Sequence, residues 1–206
     1  MKKLVIFDFD GTIADSKKLY VEIIRTSLLK ALFLYPKSRI VKALGPKLNA
    51  TLQNLNIAPK LRKKLSKEIN SWITEKAASL KVCPYAAQTL KKLKLRKHKV
   101  VLISNSVKKF LIAFLNKNKL TRYFDVILGG DNFKNKESAF KMLFKKYKVK
   151  PTEAVYVGDK ISDLQIAREA GCKAVLVKTC SWDKSKLMKK KYSRYVIKDL
   201  RGLQKL

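Results

Sequence analysis

Six polar residues stand where strongly apolar runs stop. LVIF at 4–7 leads into Asp8 and Asp10, and VVLI at 100–103 leads into Ser104 and Asn105. AVYVG at 154–158 leads into Asp159, and Asp163 follows within the same GDKISD stretch. The chain has 206 residues, with 48 Lys+Arg against 15 Asp+Glu, so four of its scarce acids sit at such points for a reason. Carboxylates at the tip of a buried strand cost stability unless a cation, a helix N-terminus or a shared proton compensates. If the runs are parallel strands of one sheet, their ends lie on one edge and the acids crowd a small volume. Four carboxylates cannot stay ionised there without a cation. An all-oxygen donor set lacking His and Cys points to Mg2+.

The elements that must position these groups follow from periodicity. Apolar runs at 4–10, 100–106, 154–160 and 174–179, with a weaker one at 125–131, alternate with segments of helical spacing such as Phe110, Phe114 and Leu115. That alternation predicts an α/β fold: a Rossmann-like parallel sheet with helices on both faces. Residues 16–80 break it. They hold amphipathic patterns at 19–33, 38–44, 48–55 and 60–77, interrupted at Pro36, Gly45-Pro46 and Pro59. We therefore expect a core of residues 1–15 and 81–206, with 16–80 inserted as an all-helical cap. Asp15 and Ser16 read as a turn and helix cap, and Trp72 as a residue of the insert's core.

Composition removes several function classes. No long uncharged apolar stretch suggests a transmembrane span, and the apolar run after Met-Lys-Lys is too short for a signal peptide, so the expected location is cytoplasmic. Cys83, Cys172 and Cys180 lack CxxC spacing and read as reduced thiols, not as a disulfide framework or zinc site. The one histidine, His98, lies in the basic run KKLKLRKHKV and reads as a surface residue, which argues against His-based catalysis. A net charge of +33 admits a polyanionic partner such as nucleic acid. The lysines are scattered, with no arginine-rich arm or RNA-binding signature, so a lysine-rich background is the preferred reading.

Four motifs in order resemble those of the haloacid dehalogenase superfamily. They are DFDGT, ISNS, the lysine-led KESAF and VGDKISD, and together they span nearly the whole chain. The segment after DFDGTIADS resembles that family's C1-type helical cap, near its phosphoglycolate phosphatase-like members. The resemblance implies roles. Asp8 is the nucleophile that forms an aspartyl-phosphate, and Asp10 is the general acid and base, its backbone carbonyl ligating Mg2+. Gly11 allows a sharp turn supported by Thr12, which joins the phosphate-binding group. Ser104 and Asn105 hold phosphoryl oxygens. Asp159 ligates the metal together with Asp8, while Asp163 ligates through water or orients Asp159. The third-motif lysine is Lys136, or Lys134 if the match follows relatives with a Pro-x-Pro. Trp182 falls where relatives carry a Trp-containing loop near the strand ends.

Single residues narrow the branch. The second acid, Asp10, disfavours dehalogenase and phosphonatase chemistry, and no histidine lies in the insert to serve a sugar-phosphate mutase. The resemblance therefore implies a Mg2+-dependent phosphatase acting on a small phosphorylated metabolite. The charge leaves action on nucleotides or nucleic-acid ends as the alternative, and a catalytically idle binding protein on the same fold as a third reading. Substrate and oligomeric state are not written in these motifs.

Overall fold

The computed structural model describes residues 4–45 and 47–205; Pro46, named above as a helix break, lies outside the described residues. In chain order the elements are β1 (Leu4–Phe7), β2 (Ala14–Asp15), α1 (Lys17–Lys30), α2 (Lys37–Ala43), α3 (Leu48–Asn54) and α4 (Pro59–Glu75). There follow β3 (Lys81–Val82), α5 (Ala86–Leu95), β4 (Lys99–Ile103), α6 (Lys108–Lys117), β5 (Val126–Leu128) and α7 (Lys136–Tyr147). The last are β6 (Ala154–Gly158), α8 (Ile161–Glu169), β7 (Lys173–Val177), α9 (Lys184–Leu187) and β8 (Val196–Ile197).

The chain divides into two compact units, Met1–Asp15 with Lys81–Leu206, and Ser16–Leu80. The first is built on a six-stranded sheet in the order β5-β4-β1-β6-β7-β8. Every pairing in it is parallel. β1 is apolar at all positions because both of its faces are covered. Leu4 and Ile6 face a cluster that includes Phe140 and Leu143 of α7 and Ala167 of α8. On the opposite parity Phe9 makes edge-on ring contacts with Phe110 and Phe114 of α6, at 5.4 and 5.0 Å between centroids. Helices thus lie on both faces of the sheet. From β1 the chain proceeds to β4 and β5 on one side, then to β6, β7 and β8 on the other. The strand order therefore reverses at β1, where open α/β sheets place ligands.

β8 and the short antiparallel β2–β3 pair carry too little pattern to be read from sequence. The latter matches Ala14 with Val82 and Asp15 with Lys81. His98 departs from expectation: it is buried, at 4% exposure. The cause is local. Lys97 takes a left-handed φ of 60° just past α5, and the His98 N–H reaches back to the Leu93 carbonyl at 3.1 Å. That closing turn folds His98 inward from a basic run that otherwise faces solvent.

In the second unit, α1 packs on α2 and α4, and α3 packs on α2 and α4. Val21, Ile24 and Leu28 of α1, Ile40 of α2, Leu52 of α3 and Leu65, Ile69 and Ile73 of α4 are among its buried side chains. Trp72 is half-buried, with the Lys30 ammonium 3.9 Å from its ring centre. Ser16 stands at the N-cap position of α1, fully buried, without a side-chain capping bond. Asp15 lies in β2, paired across from Lys81.

Candidate active site

The carboxyl edge of the sheet gathers the singled-out residues. Asp8 follows β1 directly, and its N–H donates to the Val157 carbonyl of β6 at 2.8 Å, so the β1–β6 ladder carries on into it. The alternation of a strand then sends Asp8 to the α7 face and Phe9 to the α6 face. Phe9, fully buried between the α6 rings, anchors the motif between its two aspartates. Gly11 is needed for two reasons. Its φ is +77°, and a Cβ there would lie 2.4 Å from Oδ2 of Asp159.

Lys136 is the first residue of α7. Asn135 starts that helix, its side chain accepting from the Ser138 N–H at 2.9 Å in a capping box. The Lys136 ammonium donates to Asp8 Oδ1 at 2.8 Å, to the Tyr156 hydroxyl at 2.5 Å and to Asp163 Oδ1 at 3.3 Å. It is 9% exposed, whereas Lys134 is exposed. Of the two lysines weighed above, Lys136 is the one that reaches Asp8. Asp163 is fully engaged: Oδ2 accepts from the N–H groups of Asp159 and Lys160, capping α8, while Oδ1 accepts from Lys136 and from the Tyr156 hydroxyl. Gly158 leaves room for this, since a Cβ there would meet Asp163 Oδ2 at 2.4 Å.

Asp159 is held differently. Its carbonyl accepts from the Ser181 hydroxyl at 2.6 Å and its Oδ2 from the Trp182 N–H at 2.6 Å. Its Oδ1 is buried with no hydrogen-bond partner. The loop after β7 is thus a support of the site. Of it, the sequence marked Trp182 alone, whose ring lies beside Gly11 and 4.2 Å from the Lys160 ammonium.

Asp8, Asp159 and Asp163 each offer one oxygen, all within 4.8 Å of one another. The Asp10 side chain is not among the three, and its Oδ2 accepts from the Ser106 hydroxyl at 3.1 Å. Ser104 is buried, its hydroxyl accepting from the Ser106 N–H at 3.1 Å. Asn105 is half-buried and its backbone packs on Gly130. Thr12 is fully buried, its hydroxyl without a hydrogen-bond partner.

The electrostatics follow from burial and from two cations, Lys136 and Lys160, among several acids. Burial pushes the Asp8 carboxyl up to about 6, with Lys136 opposing the rise and Asp163 adding to it. Asp159 is pushed well above the usual carboxylate range by burial, which Lys160 offsets only in part. Burial also works to raise Asp163, but Lys136, Lys160 and the capping N–H groups outweigh it and hold Asp163 low. Lys136 is held above the usual lysine value because Asp8 and Asp163 overcome its desolvation. Asp8 and Asp159 are therefore left short of positive charge. The open Oδ1 of Asp159, beside two further carboxylates, is a donor set of hard oxygens that fits Mg2+.

Tyr156 was not foreseen. It sits in the middle of β6 and reads as one more apolar strand residue, yet its hydroxyl joins Lys136 to Asp163.

A family model described as haloacid dehalogenase-like hydrolase matches residues 5–177. The chain is similar to the phosphoglycolate phosphatase of Aquifex aeolicus, at 28% identity over 180 residues covering 84% of each chain. It is 30% identical over 190 residues to a phosphoglycolate phosphatase of Pseudomonas fluorescens, covering 85% of this chain and 69% of that one. Among solved structures, a hydrolase from Pseudomonas syringae has a TM-score of 0.82 at 21% identity, covering 100% of this chain and 99% of that one. At that identity the last likeness speaks to the fold.

Proposed function

Because the chain belongs to the haloacid dehalogenase-like hydrolase family, we propose that it is a Mg2+-dependent phosphatase that hydrolyses a small phosphomonoester through an aspartyl-phosphate on Asp8. The observation that carries this reading is the pairing of a buried, lysine-held Asp8 with the unpartnered oxygen of Asp159. Asp8 supplies the attacking oxygen, and the Lys136 ammonium 2.8 Å away moderates its charge and then that of the transferring group. Asp10 gives a proton to the departing alcohol and later takes one from the attacking water; Ser106 fixes the carboxyl for both steps. Ser104 and Asn105 receive phosphoryl oxygens, and Thr12 supports the turn at Gly11.

Asp8, Asp159 and the Asp10 carbonyl would hold Mg2+, with Asp163 orienting Asp159 through its N–H. When bound, the ion neutralises charge on Asp8 and the phosphoryl group. We assign residues 16–80 as the cap that selects the substrate, on the ground that they enter between the first and second motifs. We put phosphoglycolate first among substrates to try, because the two relatives named above are phosphoglycolate phosphatases. Among the described residues no helix is long and apolar enough to cross a membrane.

The test is turnover of an aryl phosphate and of a phosphometabolite panel that includes phosphoglycolate. We expect activity with Mg2+, loss with a chelator, and a drop to background in Asp8→Asn while the protein stays folded. Undiminished turnover by Asp8→Asn would overturn the nucleophile assignment.

A further inference from the structure

We infer that Tyr156 is a positioning residue, whose hydroxyl holds the Lys136 ammonium in place between Asp8 and Asp163. The inference rests on the phosphatase reading above and adds to it a group outside all four motifs.

The Tyr156 hydroxyl accepts from Lys136 at 2.5 Å and donates to Asp163 Oδ1 at 3.0 Å. Both of its hydrogen-bonding capacities are used in one direction, from cation to acid. The side chain is fully buried in β6, between β1 and β7. Its ring packs edge-on against Phe140, centroids 5.1 Å apart. Phe140 and Lys136 stand four residues apart on α7, so one helix face grips Tyr156 at both ring and hydroxyl.

The ammonium has three donors and three acceptors: Asp8, Asp163 and this hydroxyl. Two of these acceptors are charged and compete for it. Without the third, nothing fixes the ammonium against collapse onto one carboxylate. Its task in the reaction is to serve charge that moves from Asp8 to the phosphoryl oxygens. A cation collapsed onto Asp8 or Asp163 must be pulled away in the transition state, which lowers kcat and leaves substrate binding nearly untouched. Removing the hydroxyl also takes one of two donors from Asp163 Oδ1, the carboxylate that bonds the Asp159 N–H.

Tyr156→Phe keeps the ring and its packing, so it tests the hydroxyl alone. We expect kcat to fall about tenfold to a hundredfold, the usual effect of losing a partner that orients an active-site group, with KM unchanged within about threefold. In a Lys136→Met background the same change should cost residual kcat several-fold less than in the wild type, because only the hydroxyl's bond to Asp163 is left to lose. A second readout needs neither metal nor turnover. In the metal-free protein the buried Lys136 ammonium should give a slowly exchanging 1H–15N signal, identified by its loss in Lys136→Met, that broadens away in Tyr156→Phe.

A wild-type kcat in Tyr156→Phe, an equal loss in the Lys136→Met background, or an unchanged ammonium signal would overturn the inference. If the wild-type protein turns over no phosphomonoester, the phosphatase reading fails, and the ammonium signal still decides whether Tyr156 holds Lys136.

Discussion

Asp8 shows how one residue's surroundings set both its reactivity and its cost. Its carboxyl is raised from 3.8 to about 6, with burial as the leading cause. The folded metal-free protein therefore holds a proton that the unfolded chain releases near pH 4. Stability from this group is present below that pH and is lost as pH rises through about 6. Asp8→Asn has no such titration. The melting temperature of Asp8→Asn minus that of wild type should thus grow more positive between about pH 4 and pH 6.5, in a free-energy span on the order of 2–3 kcal/mol. Paired thermal melts without metal measure it; a difference flat with pH would refute the raised Asp8. The same shortage of positive charge means that a cation bound beside Asp8 and Asp159 would stabilise the folded protein.

At the scale of elements, the recurring device is the left-handed residue just past a helix. Leu32, Asn56, Lys97, Lys119 and Lys148 all have φ between 51° and 63°, and in each case the next N–H bonds back to the helix. Glycine does this after α8, at Gly171. A side chain in that conformation costs roughly 1 kcal/mol relative to glycine. Lys97, Lys119 and Lys148 are exposed. Replacing all three by glycine should therefore raise the melting temperature by several degrees; an unchanged or lower value would show that the turns are not strained.

This habit also explains what sequence could and could not tell. The strands at Asp8, Ser104 and Asp159 were legible because buried parallel strands are uniformly apolar and end abruptly. The helices in 16–80 were legible because Pro36 and Pro59 break them. Burial of His98 was hidden because a lysine, not a glycine, makes the turn before it. Tyr156 was hidden because a strand tyrosine with a buried lysine beside its hydroxyl looks like one with an apolar neighbour. Asp10 and Ser106 stand close although far apart in the chain, and spacing carries no trace of such a pair.

For the whole molecule the governing quantity is +33 net charge on 206 residues. With 48 basic against 15 acidic residues, most lysines have no acid to meet, and they repel one another across the surface. Salt screens that repulsion over about 10 Å at 0.1 M. The melting temperature should accordingly rise by a few degrees between about 0.05 and 0.5 M sodium chloride, opposite to a protein held by surface ion pairs. A fall over that range would contradict a surface dominated by self-repulsion.

The two-residue ladder of β2 and β3 has a consequence for how such a chain is assembled. Asp15 and Lys81 stand opposite each other on antiparallel strands, so everything between them leaves and returns through one doorway. A hairpin turn of two residues, Asn-Gly, spans that gap. A chain in which Asn-Gly replaces residues 16–80 should fold cooperatively and keep the ammonium signal of Lys136; a molten product would show that the sheet needs the insert to form. If it folds, the helical segment is a detachable part, exchangeable between relatives at a single pair of joints without rebuilding the sheet.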